Sequence, residues 1–384
     1  MKIINEITFL LKILSITTDR ESVRWKKMMS GGQSNEKIME LLEKGIKLPA
    51  LPATGINLLS LIRKPIDNIS IRDLTDLIKR EPELAAKILK VANSPYYGHT
   101  REVSNLSTAV VIMGLEETIS ILNYFHLMKL TKLSQPINHF SMDDFWLHTW
   151  ACAEASRMLG SPQHFIKSLP GELYLAGLFH DIGKTALAMY LPDEFSKCLE
   201  LANEKNIPLY LAEREILSVD HAMFGATLLD NWNLPPSILD AVCFHHSPNE
   251  ADPKNKEIAF CVYFANYITN SNKIGNGGNP VCDEVSKDLL KEIFPSIFAT
   301  EYTEKHIVDE IVKSLKKKFN ILEQIESSDL ENETKKEEEK IKEEEKELES
   351  VVSSSPSFPV NQQNKSSSFH HFWQSIKKIF SSSN

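Results

Sequence analysis

The sequence predicts an all-α protein, and three observations carry that expectation. Apolar residues recur at helical spacing from about residue 35 to about residue 326. Capping residues, prolines and glycines cut this pattern into short units. No stretch alternates apolar and polar residues in the manner of a half-buried strand, so essentially no sheet is expected.

In chain order, residues 1–34 read as an N-terminal extension, and Met28 or Met29 is a plausible true start. A helix over 35–44 is followed by KLPALPAT, where Pro49 and Pro52 hold the chain extended. Ile56, Leu59 and Ile62 mark the next helix, running to about Lys64. Ser70 with Asp73 resembles a capping box and starts a helix through Leu74, Leu77 and Ile78. Pro82 suits a first helical position, with Leu84, Ile88 and Val91 on one face up to Asn93, and NSPYYGHT is a loop. Asn105 or Ser107 opens a helix that Gly114 breaks, and a long apolar helix through Leu127 follows.

Beyond Pro136 the pattern predicts helices over 142–159, 173–190, 193–205, 209–220, 222–231, 236–246 and 257–270. KIGNGGNP is a glycine-rich loop, and helices around 286–294 and 299–323 close the folded part. The expected organisation is therefore a domain over 35–276, divided into 35–135 and 136–276, with helices over 277–326 packed on it. Residues 327–368 read as a charged and Ser-rich linker, largely disordered, in which Glu and Lys pairs over 331–349 support an exposed helix of coiled-coil character. Phe369, Phe372, Trp373, Ile376, Ile379 and Phe380 then share one face of an amphipathic helix over 369–380, suited to a partner groove or an anionic membrane surface.

The net charge of −9 is concentrated in the tail, where Asp329 to Ser350 holds eleven acidic residues against five lysines. The folded part is nearly balanced and offers no electrostatic case for nucleic acid. The five cysteines form no C-x-x-C pair, and four lie in apolar helical segments, which fits buried thiols in a reducing compartment. No apolar run reaches the roughly 18 to 20 residues that span a bilayer. A soluble, cytoplasmic chain without a transmembrane segment is the expectation.

Seven polar residues stand out against this apolar background: His148, the pair His180 and Asp181, His221, the pair His245 and His246, and Asn266. Any one buried histidine is ordinarily a hydrogen-bonded core residue; the case for a site rests on their company. Burying an imidazole beside a carboxylate is costly unless an ion or hydrogen bonds compensate. Helices that each contribute one or two such groups to a cleft suit one or two divalent transition metals, Fe, Mn or Zn, with a water activated for attack on phosphorus. Lys184, one turn after Asp181, would steady a phosphate oxygen.

The order of these residues resembles the HD phosphohydrolase superfamily, and HDIGK followed by HH is similar to its HD-GYP branch, whose members hydrolyse a cyclic dinucleotide. KLPALPATGINLLSLI, IRDLTDLIKREPELAAKILKVANSPYYG and VSNLSTAVVIMGLEETISILNY resemble the N-terminal half of the HDOD domain, a sister branch associated with bacterial signalling. The resemblance implies that His148 and His180 serve a first metal, that Asp181 bridges, and that His221, His245 and His246 serve a second. Asp144 stands where HD-GYP proteins place a Glu ligand, and Asn266 where an acid is expected.

Two departures weigh against hydrolysis. Asn266 offers a neutral oxygen where a charge is needed, and SPNEADPKNKE replaces the GYP segment. The sequence therefore favours a metal-binding signalling module with weak or no hydrolase activity, answering to a protein partner and with a nucleotide as a further candidate ligand. The alternative is a metal-dependent phosphohydrolase acting on a nucleotide, cyclic dinucleotide or phosphomonoester, with Asp181 and Lys184 as its catalytic residues. A pure scaffold with hydrogen-bonded histidines is the third reading.

Overall fold

A computed structural model describes residues 53–62, 68–98, 102–128, 136–160, 170–230, 234–279, 281, 287–295, 297–300 and 303–325. The N-terminal extension, the helix over 35–44, the charged linker and the amphipathic segment 369–380 lie outside the described residues. The chain divides into units 1–325 and 326–384, and everything described belongs to the first.

The described residues are helical throughout, with a single isolated bridge between Ile137 and Phe140. The N-terminal helices are α1 (Ala53–Ile62), α2 (Ile71–Ile78), α3 (Pro82–Ala92), α4 (Leu106–Met113) and α5 (Leu115–Met128). The caps read from the sequence form: the Ser70 hydroxyl accepts from the Asp73 amide, Pro82 opens α3, and Asn105 accepts from the Ser107 and Thr108 amides. The segment after Asn93, expected as a loop, contains a one-turn 3-10 helix, Pro95–Tyr97, closed by Gly98 in the left-handed region. Asn93 itself bonds both the amide and the carbonyl of Val103, which fixes the far end of that segment.

Among the described residues no single helix is long and apolar enough to cross a membrane. Helices α4 and α5 together have the composition, but they bend by 109° at Gly114, and α5 is buried core from Thr118 to His126.

The second set comprises α6 (Met142–Leu159), α7 (Pro170–Phe179), α8 (Ile182–Tyr190), α9 (Pro192–Lys205), α10 (Leu209–Leu217), α11 (His221–Asp230), α12 (Pro236–Phe244), α13 (Lys256–Ser271) and α14 (Lys287–Ile293), with a last helix, α15, over 303–325. Helix α6 is central: it packs on α5, α7 and α13, and every residue from Phe145 to Ser156 is buried. The expected helix over 173–190 is two helices, broken at His180 and Asp181. The one over 209–220 stops at Leu217, because Ser218 turns left-handed and Asp220 accepts from the Met223 amide to start α11.

Helix α15 is tied to α5 and α6 by buried charge. Glu154 of α6 is fully buried, and its carboxylate meets Arg157 and Lys318, each at 3.0 Å, while Lys318 also reaches Glu117 at 2.8 Å. Burial opposes ionisation of Glu154, yet Arg157 and Lys318 hold its carboxyl well below the usual range. Removing one partner from such a group leaves a buried charge less compensated, so Lys318→Ala is expected to lower the unfolding free energy by about 3 kcal/mol in urea denaturation. Pairing Lys318→Met with Glu154→Gln is expected to restore most of that loss.

Candidate metal centre

The centre forms where α6, the α7–α8 corner, α11 and the end of α12 meet. His148 projects from the second turn of α6. His180 and Asp181 occupy the two-residue break between α7 and α8, and Asp181 makes no side-chain cap to α8. In an unbroken helix the two side chains would diverge by about 100°; the corner turns both inward. Here the continuous helix read from the sequence is corrected, and its interruption is what allows the pair to act together.

Two close approaches set the spacing. A methyl group added at Gly183 of α8 would run into the His221 carbonyl and lie 2.9 Å from the Gly225 amide nitrogen. Helices α8 and α11 therefore touch backbone to backbone, which brings His221 beside Asp181. At Gly177, an added methyl would lie 2.7 Å from Ser156 Oγ and 2.8 Å from Ala153 Cα, so α7 is equally close to α6.

Asp181 sits between two groups of imidazoles, one per oxygen. Its Oδ2 lies 3.7 Å from His148 Nε2, 3.3 Å from His180 Nε2 and 2.7 Å from Lys184 Nζ. Its Oδ1 lies 3.0 Å from His221 Nε2 and 3.6 Å from His245 Nε2, and His246 Nε2 is 3.0 Å from His221 Nε2. Ligand atoms of Asp181, His221, His245 and His246 all fall within 4.8 Å of one another, as do those of His148, His180 and Asp181.

The imidazoles are oriented from behind. Carbonyl oxygens only accept, so His180 Nδ1–H donates to Gly177 O and His245 Nδ1–H to Val242 O, each at 2.7 Å. That tautomer leaves Nε2 turned inward. His221 is held by Glu213, whose Oε2 accepts from the His221 amide at 2.8 Å and from Nδ1 at 2.6 Å. Tyr210 stacks on His246 with ring centroids 4.3 Å apart.

Burial pushes His148 down to about 3 and His245 down to about 4, and burial with its two histidine neighbours holds His246 well below the usual range. These rings are neutral, as ligands must be. Burial acts to lower His180 too, but the adjacent Asp181 carboxylate raises it to about 10. Glu213 similarly overcomes burial to raise His221. The carboxyl of Asp181 is penalised by burial, yet His180, Lys184 and His221 hold it well below the usual range, so it is ionised.

The donor set fits a transition metal. His180 Nε2, Asp181 Oδ1 and His245 Nε2 are buried and lack hydrogen-bond partners, which is costly for polar atoms unless a ligand engages them. Bonds of about 2.1 Å in a four-coordinate site put neighbouring ligand atoms about 3.4 Å apart, close to the spacing around Asp181.

Two residues from the sequence reading lie elsewhere. Asp144 is exposed in the first turn of α6, and its carboxylate belongs to neither group; its backbone carbonyl instead accepts from Asn276. Asn266 is half-buried and lines a cleft with Lys184, His221 and His246, but its Oδ1 accepts from Asn270 Nδ2 at 2.7 Å. The cleft has a water-accessible volume of about 40 Å³ and is rimmed by Tyr210, Tyr263 and Tyr267. In place of the GYP segment, Pro248–Glu250 makes a 3-10 turn, and Asp240 of α12 accepts from the Asp252 amide and Asn255.

Glu213 escaped the sequence reading, although a signal for it existed: it shares the apolar stripe of α10 with Leu209, Ala212 and Leu217 and is fully buried. Outer partners of this kind commonly contribute 10- to 100-fold to metal affinity. Glu213→Gln is accordingly expected to weaken binding by about 30-fold in competition with a chromophoric chelator, and to lower the melting temperature of the metal-free chain as well, because it removes one charge of a buried pair with His221.

Comparison with known proteins identifies the family and the fold. An uncharacterized protein of Treponema pallidum (strain Nichols) is 26% identical over 222 residues, 57% of this chain; the chain spans 41% of that relative's length. Among solved structures, an HDOD domain protein of unknown function from Geobacter sulfurreducens superposes with a TM-score of 0.60 at 24% identity, over 75% of this chain and 96% of that one. A protein from Marinobacter aquaeolei VT8, provisionally described as a signal transduction protein, gives 0.62 at 21% identity, over 81% and 67%. One from Shewanella amazonensis SB2B, provisionally described as a phosphohydrolase, gives 0.53 at 19% identity, over 77% and 100%. The HDOD domain profile matches residues 48–248, more than half of the chain, so this protein belongs to the HDOD domain family.

Proposed function

We propose that this HDOD chain is a signalling domain that binds a divalent transition metal, Fe, Mn or Zn, and has weak or no hydrolase activity. The observation that carries the reading is the convergence of Asp181 Oδ1 and His245 Nε2, both buried without hydrogen-bond partners, with His221 and His246 in one group whose ligand atoms lie within 4.8 Å of one another. A bound metal supplies positive charge there and, where a coordination position stays open, an acidified water. Asp181 carries the negative charge, the neutral rings of His148, His245 and His246 present lone pairs, and Glu213 fixes His221.

Two observations favour regulation over turnover. Asn266 is neutral, and its carbonyl oxygen is already taken by Asn270. The cleft, at about 40 Å³, is far below the roughly 300 to 1,000 Å³ of sites that enclose drug-sized ligands, and in this form it cannot enclose a cyclic dinucleotide. The phosphohydrolase alternative draws on Lys184, which lines the cleft next to His221 and His246. Proteins of this fold carry both descriptions. The partner is read from sequence alone, with the segment 369–380 as the docking element.

Elemental analysis of full-length protein purified anaerobically without chelator tests the reading, with stoichiometric metal expected. A screen of phosphomonoesters and nucleotides with Mn²⁺, Fe²⁺ or Co²⁺ is expected to show no turnover. Turnover that disappears in Asp181→Ala and rises in Asn266→Asp would establish the hydrolase instead, and metal at background would end both readings.

A further inference from the structure

We propose that the centre is mononuclear: Asp181 Oδ1, His221, His245 and His246 take the metal, while the Lys184 ammonium and the main chain of residues 275–279 occupy the place of a second ion beside His148 and His180. The inference rests on the metal-binding reading above and deepens it, because it fixes how many ions the cluster holds and which residues hold them.

The two oxygens of Asp181 are not equivalent. Oδ2 already holds a cation, the buried Lys184 ammonium, at 2.7 Å, whereas Oδ1 faces only imidazole nitrogens, His221 Nε2 at 3.0 Å and His245 Nε2 at 3.6 Å. A divalent ion beside Oδ2 would sit against that ammonium in a water-poor interior, where like charges repel strongly. Lys184 cannot easily retreat, since it is only 6% exposed.

The glycine-rich segment closes the same side. Gly275, at φ +67°, lies on the backbone of Asp144 and His148, and the Asn276 amide donates to Asp144 O at 3.0 Å. A methyl group added at the buried Gly277 would lie 3.0 Å from Asp181 Oδ2, 3.1 Å from Lys184 Nζ and 3.2 Å from His148 Cδ2. The main chain is therefore in contact with the three groups that a second ion and its waters would need. Farther on, Asn279 Nδ2 donates to Ile207 O at 3.1 Å, and Asn279 Oδ1 accepts from the Val281 amide at 2.6 Å. The segment is thus bonded on either side of Gly277, to α6 and to the α9–α10 connection.

The other half opens outward. His221, His246 and Lys184 line the cleft, while His148 and His180 do not. Its volume accommodates about three waters. Asp181 Oδ1 with three imidazoles is also a complete ligand set for a four-coordinate ion, the arrangement of structural zinc sites, whereas catalytic sites keep one position for water. One saturated ion accounts for a cluster that keeps its histidines without the acid expected at Asn266.

The test is the metal content of the full chain after loading with Zn²⁺ and gel filtration. A single ion is expected, lost by about 100-fold or more in affinity in His221→Ala and in His245→Ala. His148→Ala and the more conservative His148→Gln are expected to retain it, with circular dichroism confirming the fold of each. Two ions in the unaltered chain, or an empty centre in folded His148→Gln, would overturn the proposal. Carbethoxylation of the metal-free chain, mapped by mass spectrometry, decides the sealed half separately: His246 is expected to react well before His148, and Asn279→Ala to hasten His148. Equal rates for His148 and His246 in the unaltered chain count against the seal even if metal binds. A chain that holds no metal at all defeats the reading beneath it.

Discussion

Replacing Asp181 with alanine is expected to weaken metal binding sharply and to weaken the metal-free fold as well. The first effect follows from position: both groups of imidazoles share this carboxylate, so its loss leaves the larger group with three neutral imidazoles and no anionic ligand. The second follows from Lys184, which would be left buried with its counter-ion gone, at a cost of about 3 to 5 kcal/mol. A drop in melting temperature alone would therefore not prove metal binding, and metal content has to be measured directly. Asp181→Asn keeps the shape and a hydrogen-bonding oxygen, and it separates the two effects better. The ionised carboxylate stabilises the fold above the ordinary carboxyl value of about 3.9, because its folded value is depressed. That contribution disappears as pH falls through the folded value, so the unaltered chain and Asp181→Asn are expected to converge in stability in acid.

Gly183→Ala is expected to damage stability and metal binding together. Its methyl group has no space, because the obstruction is the backbone carbonyl of His221 and not the end of a flexible side chain. Helices α8 and α11 must move apart, which costs about 3 kcal/mol in overpacking and lowers the melting temperature by about 10 °C. The same separation carries His221 away from Asp181, so affinity for metal falls along with stability. Calorimetry with and without Zn²⁺ checks both, and an unchanged melting temperature would show that the two helices are not in backbone contact.

What could be read from the sequence follows the range of the forces involved. The bounds 142–159 of helix α6 follow from apolar spacing, which is local, and the structure gives Met142–Leu159 with Ser141 as its cap. The clustered histidines stand out in the sequence because several imidazoles and a carboxylate in apolar helices are costly to bury without compensation, and the structure brings them around Asp181. The break at His180 and Asp181 does not, since LYLAGLFHDIGKTAL has helical spacing on both sides and no proline or cap at the corner. Glu213 and the segment 275–279 were missed for a related reason. Their roles depend on contacts with His221 and with Asp144, His148 and Asp181, which lie far away in sequence or beyond a turn. Asp144 shows the converse: its motif position suggested a ligand, but the first turn of α6 leaves its side chain in solvent.

The complete burial of α6 from Phe145 to Ser156 gives the protein a built-in clock. A helix with no face toward water cannot fray into solvent by itself, so its amide protons exchange only when the whole domain opens. Deuterium uptake in that stretch should be the slowest in the molecule and should report global stability. Because His148 lies within it and His180 and Asp181 stand nearby, a ligand that binds the folded state slows this clock by the factor through which it stabilises the fold. Occupancy of the centre can then be followed by mass from a peptide that never meets the solvent in the native state.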